Sequence, residues 1–219
     1  MLKMEVKINN QKFLLDFDDV MLKTGDEKVR WLRQNISIDD LLDKNRPVES
    51  IKPYECSRTV LTPIVGHDNY ERMIDYVYGP QGTAAIQPLD GALEGVAELS
   101  KVGEVYVVSA RKQKYIGNTK VWLQDNGFDP YITPSNIFAE DNEEFAVVNK
   151  VAGSKKVGIA KHLGAVMFVD DDERHMPKEP VEGLHCLLFG PLKRRYAPNH
   201  IVIAKDWNEV VEYARNIKT

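Results

Sequence analysis

Apolar positions along the chain follow two rhythms. Five short runs rich in Val, Ile, Leu and aromatic side chains have the length and composition of buried strands: Phe13 to Asp16, Val105 to Ser109, Tyr131 to Thr133, Val166 to Asp170 and Leu184 to Phe189. A sixth run, Ile201 to Ala204, follows near the end. Between them lie amphipathic stretches with helical spacing: Gly91 to Leu99, Lys120 to Asn126, Lys156 to Leu163 and Trp207 to Arg215. Strand alternating with helix over the second half predicts an α/β fold, a Rossmann-like parallel sheet with helices on both faces. Glu5 to Ile8 alternates polar and apolar before Asn9-Asn10, a pattern that predicts a hairpin onto the first buried strand.

The alternation breaks from about Met21 to Gln87. This stretch is polar, has no comparable series of strand runs, and carries helix-like pieces at Asp26 to Gln34, Ile38 to Asp43 and Asn69 to Tyr78. Ser37 and Asp68 stand where the last two would be capped. The expected division is a core from residues 1–20 and 88–219, with a small, mainly helical module, 21–87, inserted after the first strand.

Composition narrows the class. A chain of 219 residues, 43% hydrophobic, can build one core with a small inserted module. Its formal net charge of −4 gives no global basic field for a phosphodiester backbone, so nucleic acid is not expected as a large partner. Cys56 and Cys186 are far apart and match no metal-ligand spacing. The first residues lack the apolar stretch of a signal peptide, and no apolar run approaches the roughly 18 residues of a membrane span. A reduced, cytoplasmic chain with no membrane association is the expectation; oligomeric state is open.

In parallel-sheet folds ligands bind beyond the carboxyl ends of the strands, which directs attention to three places. Asp16, Asp18 and Asp19 crowd the end of the first buried run, and such repulsion needs a counter-ion. Ser109, Ala110 and Arg111 follow the second, leaving a hydroxyl and fresh backbone N–H groups at a strand-to-loop transition. Asp170, Asp171 and Asp172 end another. Two acidic strand ends facing one crevice suit Mg²⁺, which prefers carboxylates, waters and substrate phosphate.

The order of these elements resembles the four motifs of the haloacid dehalogenase (HAD) superfamily. Asp16-Phe17-Asp18-Asp19-Val20 is similar to the first motif, Ser109 to the second, Lys156 to the third and Asp170-Asp171 to the fourth. The resemblance implies a Mg²⁺-dependent phosphate-monoester hydrolase acting through an aspartyl-phosphate. Asp16 would be the nucleophile and Asp18 the acid/base, holding a proton at some stage under the repulsion of its neighbours. Ser109 and Ala110, with Arg111, would bind the phosphoryl group, and Lys156 would offset the charge gathered in transfer. Asp16, the carbonyl of Asp18, Asp170 and Asp171 would hold the metal. Lys155 competes with Lys156 for the third position; the helical spacing of Ile159 and Leu163 favours Lys156.

Asp19 stands where the family often has Gly, which requires an Asp to tolerate a tight turn. An acid at Asp18 favours phosphoryl transfer over dehalogenation, since dehalogenating members lack it. Pro88 to Leu123 also resembles 5′(3′)-deoxyribonucleotidases, and 21–87 falls where the family places its C1 cap. Tyr70, Arg72, Tyr76 and Tyr78 there could form a base-stacking surface or ordinary packing. The expected substrate is a small phosphorylated metabolite, a nucleoside monophosphate first. Alternatives are a phosphatase of nucleic-acid ends, for which Lys193, Arg194 and Arg195 are a basic cluster, and a non-catalytic binding protein. Each acidic group has a plainer reading as a turn or helix cap. His162, His175, His185 and His200 read as structural or surface residues, and Trp122 and Trp207 as packing.

Overall fold

The computed structural model describes residues 11–190 and 198–217. The expected strand at Glu5 to Ile8 and the basic cluster Lys193 to Arg195 lie outside them. Six strands, β1 (Gln11–Asp16), β2 (Gly103–Ser109), β3 (Ile137–Ala139), β4 (Met167–Asp170), β5 (His185–Phe189) and β6 (Val202–Ala204), form one sheet in the order β3-β2-β1-β4-β5-β6. Every neighbouring pair is parallel.

Alternate residues of each strand build two cores. Phe13, Leu15, Val107, Val169 and Leu187 face a cluster shared with α5 (Ala92–Ser100), α6 (Ile116–Asp125) and α8 (Trp207–Asn216). Leu14, Val108, Phe168 and Leu188 face the other, shared with α7 (Lys155–Leu163). Burial on both faces is what lets these runs read as continuously apolar.

Between β1 and β2 lie α1 (Thr24–Asn35), α2 (Arg58–Val65), α3 (His67–Val77) and α4 (Pro80–Ala85), before α5. The two ends of this stretch are tied together: Lys23 N–H donates to Gln87 O at 3.0 Å and Leu89 N–H to Met21 O at 2.8 Å. Its apolar residues, Leu32, Leu61, Met73 and Val77 among them, continue the core under the sheet's first face.

Three expectations need correction. Tyr131 to Thr133 is not a strand; the chain turns there between Pro130 and Pro134, and the edge strand is Ile137–Ala139, paired with Val107 to Ser109. Proline cannot donate to a ladder, so the run between the two prolines yields to the next one. Ile38 to Asp43 shrinks to a single 3₁₀ turn, Ile38–Asp40, because Ile38 and Leu42 face solvent and Leu42 N–H is diverted to Ile64 O. Asp68 lies inside α3, whose cap is Gly66 at φ 83°.

Candidate active site

The carboxyl ends of β2, β1 and β4 are adjacent in the sheet, and they bring Ser109, Asp16 and Asp170 to one edge. Above them opens a cavity of about 380 Å³ lined by Asp16, Asp18, Asp19, Asp171, Ala110 and His175, and on the side of 21–87 by Lys28, Tyr70 and Tyr78. Two indoles fix the surroundings: Trp207 Nε1–H donates to Val20 O and Trp122 Nε1–H to Ile86 O, both at 2.9 Å, so these residues pack and also tether backbone near the site.

Lys156 joins the two acidic strand ends. The first turn of α7 carries it, Ser154 caps that helix by accepting from Val157 N–H, and its ammonium lies 2.9 Å from Asp16 Oδ1 and 2.7 Å from Asp170 Oδ2. The side chain is fully buried, and the two carboxylates outweigh burial to raise its pKa. Lys155 points elsewhere and donates to the carbonyls of Phe145 and Val148, which separates the two candidate lysines.

Asp16 and Asp170 answer differently to the same cation. Burial pushes Asp16 well above the usual carboxylate range, and Asp170, Asp18 and Asp171 add to the effect while Lys156 opposes it. Burial also raises Asp170, but Lys156 and His175 outweigh it and leave the group below its ordinary value. His175 Nδ1 lies 3.1 and 3.0 Å from the two Asp170 oxygens, and Asp172 N–H donates to Asp170 Oδ1 at 2.8 Å. His175 was expected to be structural or on the surface; it belongs to the site. The turn Glu173–His175 swings it back over the strand end, and no spacing to another histidine reveals that. His162, His185 and His200 instead contact Phe145, Tyr213 and Pro177, away from the cavity.

Asp18 is held on the opposite side. Arg111 grips it through Nη2 on Oδ1 at 2.7 Å and Nε on Oδ2 at 3.1 Å, Thr24 Oγ1–H donates to Oδ1 at 2.6 Å, and Ser109 Oγ–H to Oδ2 at 3.3 Å. Burial raises the group, yet Arg111 outweighs it and lowers Asp18 to about 2. This reverses the expected direction, in which neighbouring acids would help Asp18 hold a proton. Arg111 is itself 1% exposed, stacked between Phe17 and Tyr78 and donating to Thr83 Oγ1 at 2.9 Å. Expected to bind substrate, its guanidinium is committed instead to Asp18 and Thr83. Ser109 is buried and accepts from Arg111 N–H at 3.1 Å, while Ala110 is exposed at the cavity mouth.

Asp19 adopts the left-handed conformation, φ 56°, that the resemblance required of it, and its Oδ1 accepts from Gly25 N–H at 2.8 Å. Burial, then the charge of Asp171, raises it to about 7. Asp172 takes the plainer role, capping the next turn through Arg174 N–H and pairing with the Arg174 guanidinium. Of the four residues expected to form a stacking surface, Tyr70 and Tyr78 line the cavity; Tyr76 is exposed and Arg72 lies over Trp31.

Asp16, Asp170 and His175 each place one ligand atom within 4.8 Å of the others, an oxygen-rich set with one imidazole that fits a divalent cation. Among the described residues no helix is long and apolar enough to cross a membrane. Both cysteines are free and buried.

No protein-family model matches the chain. A protein of Oceanobacillus iheyensis named as a candidate nucleotidase is 26% identical over 140 residues, covering 63% of this chain and 70% of that protein. Among solved structures, YfnB of Bacillus subtilis, a candidate HAD hydrolase bound to magnesium, aligns with a TM-score of 0.57 and 14% identity over 95% of this chain and 100% of its own. The L-2-haloacid dehalogenase of Xanthobacter autotrophicus, with chloropropionic acid covalently bound, aligns with a TM-score of 0.53 and 9% identity over 95% and 100%. Both share the fold with this chain; their names imply different chemistry.

Proposed function

We propose that this chain, which has the fold of the HAD-superfamily hydrolases, hydrolyses phosphate monoesters of small metabolites, with a nucleoside monophosphate as the first candidate. The observation that carries the reading is the buried Lys156 ammonium between Asp16 and Asp170 at the floor of the cavity. It fixes one Asp16 oxygen and sets a cation beside it, and a divalent ion bound at the same group would offset the burial that raises its pKa and leave it the anion that attacks an anionic phosphoryl group. The segment 21–87 serves as the cap that shapes the leaving-group side.

Asp16 attacks phosphorus, a P–O bond forms to its carboxylate, and the P–O bond to the alcohol breaks. Lys156 offsets the charge of nucleophile and phosphoryl oxygens. The N–H of Ala110, which lines the cavity, would donate to those oxygens, and Ser109 accepts from Arg111 N–H in the turn behind it. A divalent ion such as Mg²⁺ would be held by Asp16, Asp170 and the Asp18 carbonyl, with Asp171 and His175 alongside, and would supply Lewis-acid neutralisation of the phosphoryl charge.

Asp18 handles the proton. While gripped by Arg111 it is ionised but a weak base, so taking a proton from the water that opens the phosphoenzyme also calls for a loosened grip. To protonate a departing alcohol it must first leave Arg111, and a phosphoryl group competing for that guanidinium would let burial raise its pKa. The carboxylate at Asp18 is also what favours this chemistry over dehalogenation, whatever the shared fold. A panel of phosphorylated metabolites assayed with and without Mg²⁺ tests the proposal: Mg²⁺-dependent release of phosphate is expected, and its absence across nucleotides, sugar phosphates and an aryl phosphate would overturn it.

A further inference from the structure

Most cations around the cavity have a protein anion. Lys156 has Asp16 and Asp170, Arg111 has Asp18, Arg58 has Glu71 at 2.8 Å, and Arg174 has Asp172. Lys112 has no such partner but is exposed. Lys28 is different. It lines the cavity from α1, is only 8% exposed, and has no hydrogen bond or ion pair among the described residues. Its ammonium lies 5.4 Å from the centre of the Tyr78 ring.

A buried ammonium without a hydrogen-bonding partner is costly. Burial works to discharge it, but Tyr78, Asp18 and Asp19 outweigh that and keep Lys28 charged. Its field bears on Asp18 and Asp19, while the groups that shift Asp16 are Lys156 and the other acids. Lys28 enters the cavity from α1, in 21–87, the segment that also supplies Tyr70 and Tyr78 to its lining. The reacting phosphoryl group is already served by Lys156. A neutral leaving group would leave the Lys28 ammonium unpaired once the cavity is filled; an anionic one would complete it.

We propose that Lys28 is a specificity-determining residue that binds a second anionic group of the substrate, a carboxylate or a second phosphoryl group, within the same cavity. This rests on the phosphate-monoester reading of the same site.

Calorimetric titration with three phosphonates at fixed free Mg²⁺ tests it: ethylphosphonate with no second anion, phosphonoacetate with a carboxylate, and methylenediphosphonate with a second phosphoryl group. The wild-type chain should bind one of the latter two on the order of tenfold more tightly than ethylphosphonate, the worth of one charge-assisted contact. Which one it prefers identifies the anion. Lys28→Met should abolish that ratio and Lys28→Arg should keep most of it. Equal affinity for all three in the wild type, no binding of any of them, or an equal loss on all three in Lys28→Met would overturn the proposal. Lys28→Met takes a cation away from Asp18 and Asp19, so its melting temperature should fall; if it does not fold, the wild-type ratio and the Arg variant decide. Phosphoglycolate and ethyl phosphate hydrolysis, run in parallel, separates the two readings. A Lys28-dependent binding ratio with no hydrolysis would overturn the phosphatase and leave the anion site standing.

Discussion

Changing Asp16, Asp18 and Asp19 one at a time to Asn separates three carboxylates that sequence alone can only rank by motif. Asp16→Asn removes the proposed nucleophile from under Lys156, and turnover should disappear. Asp18→Asn loses the proposed proton transfer, typically worth about 10² to 10⁴-fold, and also strands the buried Arg111 guanidinium, so kcat and melting temperature should fall together. Asp19→Asn keeps an oxygen to accept from Gly25 N–H and keeps the tolerance for positive φ, so the cost to kcat should be about tenfold or less. Steady-state kinetics and thermal melts of the three variants would establish the order; Asp19→Asn as the most damaging change would contradict it. The pH dependence of stability follows from the same residues. Asp19 binds its proton more tightly folded than unfolded, so its contribution is fully present below about pH 4 and is lost as pH rises toward its folded value of about 7. Asp18, lowered to about 2, has the opposite sign: its contribution is present above about pH 4 and is lost in stronger acid. Metal-free protein should accordingly lose melting temperature between about pH 4 and 7, and Asp19→Asn should flatten that decline. These directions were illegible in the sequence. Repulsion among neighbouring acids suggested a protonated Asp18, and only the folded chain brings Arg111, 93 positions away, against it.

At the scale of elements, α7 shows how tightly the cation is placed. A Cβ on Gly158 would lie 2.1 Å from Asn149 O, a backbone atom that cannot swing aside. Gly158→Ala should therefore push α7 off the 149 loop, costing about 1 to 3 kcal/mol of stability and lowering kcat by moving Lys156. A variant with wild-type melting temperature and wild-type kcat would show that α7 does not set the lysine. Strand positions other than that of the short edge strand β3 were readable because strands buried on both faces leave unbroken apolar runs, two of them with acids at their ends. The helices of 21–87 were harder. Asp26 to Gln34 and Asn69 to Tyr78 correspond to α1 and α3, but α2 carries Pro63 inside it and α4 has six residues, patterns in which proline and shortness hide a helix that tertiary contacts hold. His175 was missed for a similar reason: a three-residue turn, not periodicity, delivers it to Asp170.

For the molecule as a whole, the sheet order and the arrangement of acids at one edge explain why a divalent cation should act on both stability and catalysis. Asp16, Asp170 and their acidic neighbours repel one another in the metal-free protein, so millimolar Mg²⁺ should raise the melting temperature, and a chelator should reverse the rise and stop turnover together. No thermal shift with any divalent cation would contradict a metal site there. On the proposed reading 21–87 governs substrate choice, and its Tyr70 and Tyr78 face the cavity, so Tyr78→Ala should change the ratios of kcat/KM among substrates more than a change at Tyr76, which lies outside it. The most direct test of the whole account is to quench the chain in acid during turnover of a ³²P-labelled monoester and map the acid-stable acyl-phosphate by peptide. Label on the peptide containing Asp16, lost in Asp16→Asn, is the predicted result. Label on Asp18, Asp19 or Asp170, or label that persists in Asp16→Asn, would contradict the account.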